Sequence, residues 1–303
     1  MNYTLHQLQI FLEVVRQQSI TRAAEEMHMT QPALSIQLKN FQHQFDIPLT
    51  NLIGKKLHIT DFGKSIAEIA ENVIKEADAI KYKTKDYSGL LAGKLRISSA
   101  STGKYVIPYF LSSFMHKHPG IDLILDVSNK SIVVKSLQDN EIDFALVSVL
   151  PDKLDIEEER LLENKLFLVN SSPELQKNRP LIYREPGSAT RGAMDKYFSG
   201  KNNSKTNRKS IELTSNEAVK QAVIAGLGYT IIPLIGIKNE LLNQQLHIIP
   251  SKGLPIMTHW RLVWLRKKKL SPVAQAFLDY IRAEKEQIIQ NRFSWYSNFS
   301  LKK

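Results

Sequence analysis

Residues 5–63 read as one unit, and its centre, SITRAAEEMHMTQPALSIQLKNFQ (Ser19–Gln42), constrains the fold more than any other stretch. A short helix over Thr21–Met27 turns Ala23, Ala24 and Met27 inward, and His28-Met29 make a tight connection. Thr30 stands where an N-cap belongs, with Pro32 in the first turn, where a missing N–H costs nothing. Leu34, Leu38, Phe41 and Phe45 follow at helical spacing and form one buried stripe. Gln31, Ser35, Lys39 and Gln42 fall on the opposite face. Two short helices joined this way are the geometry that lays the second in a DNA major groove while the first braces it. The exposed side chains suit that partner: Gln reads adenine, Ser reads either base, and Lys neutralises phosphate. Upstream, Leu5, Leu8, Phe11, Leu12 and Val15 make a supporting helix. Downstream, Ile53-Gly54-Lys55-Lys56-Leu57 reads as a basic turn between two short strands. A three-helix packing module with a solvated polar face would show the same periodicity.

The flanking words narrow the choice. Gln7-Leu8-Gln9-Ile10-Phe11, Ser19-Ile20-Thr21-Arg22-Ala23-Ala24, Thr30-Gln31-Pro32-Ala33-Leu34-Ser35 and Ile59-Thr60-Asp61-Phe62-Gly63 together resemble the winged helix-turn-helix of the LysR-type transcriptional regulators. The expected DNA-contacting set is Thr21, Arg22, Thr30, Gln31, Pro32, Ser35, Lys39, Gln42, Lys55 and Lys56. The wing departs from the family pattern. Leu49-Thr50-Asn51-Leu52 stands where the family generally has Leu-Phe-Glu-Arg, so an arginine that often touches the DNA backbone is missing, and Lys55 and Lys56 are its candidate substitutes.

Thr60 or Asp61 caps a following helix to about Tyr87. Its apolar positions Ile66, Ala70, Val73, Ala77 and Ile80 alternate steps of four and three, the seam of a coiled coil. A helix lying on its own sensor domain is the rival reading; a dimerisation helix fits better, because paired reading heads match the halves of an inverted repeat. The expected division is a DNA-binding domain over 1–63, a linker helix and hinge over 64–91, and a sensor domain over 92–303.

Charge does not make the DNA argument. The net charge is +11, yet residues 1–91 hold ten Lys/Arg and ten Asp/Glu. The excess sits in KNNSKTNRK (201–209), in Arg266–Lys269 and in the tail, where solvated loops are the expectation and added nonspecific DNA affinity the alternative. The 303 residues, 43% of them apolar, suffice for two or three domains. The absence of cysteine excludes a disulfide framework, thiolate zinc and a cysteine nucleophile. Gln9 and Glu13 interrupt the only apolar run near the start, and no stretch is long enough to span a bilayer, so a cytoplasmic protein without a membrane partner is expected.

From Lys94 the texture becomes alternating strands and helices. Strands are expected at Leu95–Ser99, Leu123–Val127 and Asp143–Val147, with helices at about Gly103–His116 and Ile132–Gln138. A second set starts near Lys165, with Leu166–Val169, Leu181–Tyr183, Ile211–Leu213, Tyr229–Ile232 and Leu246–Ile249. Strand Trp260–Leu265 and a helix from Pro272 to about Ile289 close the chain. This implies a mainly parallel sheet in two α/β lobes, lobe I over about 92–165 and 266–290 and lobe II over about 166–265, with a tail at 291–303 expected to be disordered. Val223–Pro233 and Arg184-Glu185-Pro186-Gly187-Ser188-Ala189-Thr190-Arg191 are similar to LysR-type sensor domains, the second to the subgroup of carbon-fixation operon regulators. The resemblance implies a two-lobed, periplasmic-binding-protein-like fold.

Ligands of such folds bind where strands end and helix N-termini converge. Ser99, Ser101 and Thr102 follow the first strand, Thr214, Ser215 and Asn216 precede another helix, and Thr190 and Arg191 open a third. Ser148 ends a hinge strand, and Ile232 completes the candidate set. Each hydroxyl alone suits an ordinary cap; together they point to a small anionic metabolite, with Arg191 free to grip an oxyanion in bidentate fashion and Arg184 as readily a structural ion-pair partner. No HExxH, P-loop or GxSxG is present among the eight histidines and their surroundings. The reading is therefore a regulator rather than an enzyme, needing no cofactor or metal, whose partners are double-stranded DNA, the metabolite, a second or further copies of the chain, and RNA polymerase as a further candidate. A solute-binding module or an enzyme without DNA function is the alternative.

Overall fold

The computed structural model describes residues 2–53, 56–87, 90–175, 178–199 and 209–299. They fall into two units, Met1–Gly89 and Leu90–Lys303.

In the first unit α1 (Leu5–Gln17) starts from a capping box, the Thr4 hydroxyl accepting from the Gln7 N–H while the Gln7 amide answers the Thr4 N–H. Ser19 caps α2 (Ile20–Glu26), His28 turns the chain at φ 53°, and Thr30 caps α3 (Gln31–Gln42) with Pro32 in its first turn. Strands β1 (Thr50–Ile53) and β2 (Lys56–Ile59) pair antiparallel as the wing. The Thr60 hydroxyl accepts from the Gly63 N–H and opens α4 (Asp61–Tyr87). A Cβ on Gly63 would lie 2.1 Å from the Leu49 carbonyl oxygen, so only glycine lets the wing close onto this helix.

The core of this unit is Leu8, Ile10, Phe11, Val14, Ala23, Ala24, Leu34, Leu38, Phe41, Leu49, Ala67 and Ala70. Two expectations change. Leu5 is exposed while Ile10 and Val14 are fully buried, because α1 is covered by α2 and α3 on one side and by α4 on another, which widens its apolar face beyond one stripe. The seam of α4 divides: Ala70 is buried in the unit's own core and Ile66 packs against it, whereas Val73 and Ile80 are exposed, as is Ile69 outside the seam.

In the second unit β3 (Ala92–Ala100) leads through a 3-10 turn, Ser101–Tyr105, into α5 (Ile107–Lys117). The chain continues through β4 (Gly120–Ser128), α6 (Lys130–Gln138), β5 (Phe144–Val147) and the long β6 (Ile156–Asn170). Then come β7 (Leu181–Arg184), α7 (Ala189–Ser199), β8 (Ser210–Leu213), α8 (Asn216–Ile224) and β9 (Thr230–Pro233). A 3-10 turn at Leu234–Gly236, α9 (Lys238–Leu242), β10 (His247–Ile248), β11 (Ile256–Leu265) and α10 (Pro272–Ser297) complete it.

The main sheet runs β10-β6-β11-β5-β3-β4, with β9 also on β6, and β7 and β8 form a separate parallel pair. Pairing of β3 with β4 and β5 is parallel, but β6 and β11 are antiparallel. The expected mainly parallel sheet therefore holds only for β3 with β4 and β5 and for β7 with β8, since β11 on β5 and β9 and β10 on β6 are antiparallel too. The chain enters the second lobe on β6 and returns on β11, so these two strands must run in opposite directions. Their pairing shifts register between His259 and Arg261.

The chain end also differs from expectation. The last helix does not stop near Ile289; it leaves helical geometry at Phe293 (φ −120°, ψ 15°) and continues to Ser297. Phe293 is buried against Tyr109 and Phe110, with ring centroids 5.3 and 6.1 Å away, and the Lys165 N–H donates to the buried Tyr296 hydroxyl at 2.7 Å. Sequence periodicity missed this because the break at Phe293 re-aims the apolar face. In the basic run at 266–269, Arg266, Lys267 and Lys269 are exposed as expected, Arg266 pairing with an equally exposed Asp155, whereas Lys268 is drawn in to pair with Asp143. Residues 201–208 and 300–303 lie outside the described residues.

Candidate DNA-reading face and effector cleft

The face of α3 opposite its core carries exposed Gln31, Pro32 and Lys39 with half-buried Ser35, and Thr21 and Arg22 are exposed on α2. Gln31 Nε2 donates to Ser35 Oγ at 3.0 Å, so the two form one polar pair. The Thr30 hydroxyl is occupied as the cap, accepting from the Ala33 N–H. Gln42 corrects the sequence reading. Its Oε1 accepts from both the Thr50 N–H at 3.1 Å and the Thr50 hydroxyl at 2.6 Å, so this side chain ties the end of α3 to the wing rather than facing a base. Its amphipathic position on α3 could not reveal that, since Thr50 is eight residues away. Lys56 opens β2, Lys55 lies outside the described residues, and Leu52, where the resemblance expects arginine, is 72% exposed.

In the second unit the lobes face each other across the ends of β3, β4, β7 and β8. Ser101 Oγ donates to the Ser128 carbonyl at 3.0 Å and accepts from Arg184 Nη2 of the other lobe at 3.3 Å. Gly187 (φ +88°) comes so close to α6 that a Cβ would sit 2.6 Å from Ser131 Oγ. Thr102, Ser148 and Thr190 are buried, and Ser215 caps α8, accepting from the Ala218 N–H at 3.0 Å. Thr214 is exposed, while its carbonyl lies 3.5 Å from Arg184 Nη2. Asn216 is 6% exposed, and among the described residues its Oδ1 has no hydrogen-bond partner.

Three expected positions do not behave as ligand groups. The Ser99 hydroxyl is fully buried and turned onto the Ala100 carbonyl. Ile232 pairs with Phe167 in the sheet and belongs to the apolar core. Arg191 is not free: it donates to Asp195, Glu212 and the Arg184 carbonyl, and stacks over Tyr183. Its carboxylate partners come from the next turn of α7 and from β8, the latter beyond the reach of local sequence reasoning.

Other groups emerge that the sequence did not single out. Asn129 caps α6, accepting from the Ile132 N–H. Burial pushes the Glu185 carboxyl up, but hydrogen bonds from Arg184, from its own backbone and from Asn129 outweigh this and hold it below the usual carboxylate range. An open cavity of about 840 Å³ lies against α7, lined by Lys130, Asp152, Ser188, Arg191, Lys196 and Thr258 among others. Burial pulls the Lys130 ammonium down, against the raising effect of Asp152. Among the described residues no group of His, Cys, Asp or Glu is arranged to hold a metal, and no helix is long and apolar enough to cross a membrane.

Comparison with known proteins places both units. The family model "Bacterial regulatory helix-turn-helix protein, lysR family" matches residues 5–64, and "LysR substrate binding domain" matches residues 88–286. The chain is 37% identical to the HTH-type transcriptional activator CmpR of Synechocystis sp. over 298 residues, covering 95% of this chain and 97% of that protein. It is 34% identical to the RuBisCO operon transcriptional regulator of Acidithiobacillus ferrooxidans, covering 92% and 94%. Among solved structures, the Synechocystis CcmR regulatory domain in complex with 2-PG matches with a TM-score of 0.57 at 32% identity, over 64% of this chain and 98% of that one. These relatives are regulators, which removes the enzyme and the DNA-free solute binder as alternatives. The chain belongs to the LysR family of transcriptional regulators, and it is a DNA-binding regulator with an effector-binding domain.

Proposed function

We propose that this regulator reads an inverted-repeat operator as a dimer or tetramer and senses a small anionic metabolite between the lobes of its second unit. In this reading residues 1–63 hold DNA through Thr21, Arg22, Gln31, Pro32, Ser35 and Lys39. Residues 64–91 join protomers through the exposed half of α4, and residues 92–303 sense the metabolite. RNA polymerase is its partner at the promoter, and the cytoplasm its compartment.

The observation that carries the effector reading is the meeting of polar chain ends in the cleft. Ser101 and Thr102 on one lobe face Arg184, the Thr214 carbonyl and the α8 N-terminus on the other. Backbone N–H groups and helix dipoles at such ends favour an anion. The 2-PG bound by the related CcmR domain supports the same class of ligand. A ligand that bridges the lobes favours one lobe geometry, and linkage requires it to change DNA affinity by the same factor that DNA changes ligand affinity. DNase footprinting upstream of the chain's own gene, at stated salt, with and without 2-PG and other small anions, tests this. A protected inverted repeat whose extent changes with one anion is the expected result. Protection indifferent to every anion would refute the effector reading, and no protection would refute the operator reading.

A further inference from the structure

The cleft contains a cation that is half used. Arg184 ends β7 and is 3% exposed. Its Nε and Nη2 donate to Glu185 Oε2 and Oε1, both at 2.7 Å, so one edge of the guanidinium is held in a bidentate grip by the neighbouring carboxylate. The other edge is poorly occupied. Nη2 reaches Ser101 Oγ at 3.3 Å and the Thr214 carbonyl at 3.5 Å, both long for a charged donor, and among the described residues Nη1 has no hydrogen-bond partner. Two residues beyond Thr214, the buried Asn216 carries an Oδ1 that also lacks a partner. A guanidinium edge held only by two long contacts, and a buried amide oxygen two residues beyond the Thr214 carbonyl it reaches, leave hydrogen-bonding capacity unused at the junction of the lobes.

We propose that Arg184, not Arg191, is the anion anchor of the effector site. Glu185 holds its side edge, leaving the Nη1–Nη2 edge for a ligand carboxylate or phosphate beside the Ser101 hydroxyl and the N-terminus of α8. This proposal rests on the effector reading above and specifies it. The ligand is a small molecule with one planar carboxylate or a phosphate at its anionic end. The adjoining Asn216 oxygen takes a ligand hydroxyl or other donor. Because Ser101 and Arg184 come from opposite lobes, a ligand shared between them pulls the lobes together. Arg191 is more heavily held: its Nε is taken by Asp195 and its Nη1 by Glu212 and the Arg184 carbonyl, all at 2.9–3.1 Å, which leaves Nη2 alone rather than a whole edge.

The test is calorimetric titration of the full-length protein with 2-PG and, separately, inorganic phosphate. The variants are Arg184→Lys, Ser101→Ala and Arg191→Gln, each checked by its thermal unfolding midpoint. Lysine keeps the charge but cannot offer a planar edge. Arg184→Lys should weaken binding roughly 10- to 100-fold, the range for loss of hydrogen bonds to a charged group. Ser101→Ala, a milder change, should weaken it about fivefold. Arg191→Gln should stay within about twofold. If wild-type protein takes up neither anion, the effector reading fails and the anchor with it. If wild type binds and Arg184→Lys and Ser101→Ala bind equally well, or Arg191→Gln loses binding instead, the anchor alone is refuted.

Discussion

Replacing Phe293 with alanine tests whether the end of the chain is part of the sensor core. Phe293 is 1% exposed, stacks at 6.1 Å on Phe110 and edges onto Tyr109, both on α5. Around it, Phe299 sits 5.8 Å from Phe167, and the Tyr296 hydroxyl satisfies the Lys165 backbone N–H where β6 leaves one lobe for the other. A ring buried on this scale costs about 3–5 kcal/mol when cut to alanine, because the lost contacts leave a cavity that the sheet and α5 cannot close. For a domain of this size each kcal/mol moves the midpoint by about 2–4 °C, so a fall of roughly 6–20 °C is expected. Intrinsic fluorescence is the right assay, since all three tryptophans, Trp260, Trp264 and Trp295, lie in the second unit and report its unfolding. Arg292→Ala, one residue away and exposed, should change stability by no more than about 0.5 kcal/mol. A shift for Phe293→Ala as small as that of Arg292→Ala would show that residues beyond the family match at 286 are dispensable decoration and that their burial carries no stability.

Three further outcomes follow from contacts of the same kind. Gln42→Ala removes the side chain that holds Thr50, so the wing loses its tie to α3, and affinity for specific and random DNA alike should fall about fivefold in a gel-shift titration; loss confined to one base position would mean that Gln42 reads DNA after all. Ile80→Asp places a charge in the exposed apolar half of α4 and should turn a dimer into a monomer in sedimentation experiments at micromolar concentration; an unchanged oligomer would move the interface elsewhere. Glu159 should contribute an acid-sensitive share of stability. Burial raises its carboxyl, but hydrogen bonds from Lys285 and Arg282 on α10 more than offset this, so its folded value lies below the ordinary 4.5. The sign follows: the stabilisation is fully present above the unfolded value and is lost as pH falls from there through the lowered folded one. Denaturant unfolding at pH 7 and below pH 4 should therefore show Glu159→Gln converging on wild type in acid, and a gap that persists would contradict the pairing.

What was legible in the sequence was local. The Thr30 cap, the Pro32 first turn and the Leu34–Leu38–Phe41 stripe lie within one helix, where spacing dictates geometry. Strand positions in the second unit were legible for the same reason, since hydrophobic runs between turn residues need no knowledge of their neighbours. Strand direction was not, because the antiparallel run of β6 and β11 is a property of how the chain crosses between lobes. The first half of β6, Ile156–Lys165, was missed outright. Its Glu157, Glu158, Glu159, Arg160 and Glu163 break any apolar run, and they are tolerated because Arg261, Arg266, Arg282 and Lys285 supply counter-charges from β11 and beyond.

The two arginines of the Arg184–Arg191 segment show why a site is harder to read than a fold. Locally, Arg191 has the better claim: it opens a helix, follows Gly187-Ser188, and looks free to meet an anion. Whether it is free depends on Asp195, one turn on, and on Glu212, which β8 brings beside it through its parallel register with β7. Arg184 looks already satisfied, with a carboxylate as its next neighbour. Yet two adjacent residues of a strand end can share only one edge of a guanidinium, and the other edge must look elsewhere. In this fold it looks across the cleft at Ser101 of the other lobe. A cation anchored on one side and under-bonded on the other is poised to respond to a ligand, because binding adds hydrogen bonds without first breaking an ion pair. That asymmetry resides in the pairing of strands and the approach of lobes, so no inspection of Arg184-Glu185 as a dipeptide could have separated the anchor from the decoy.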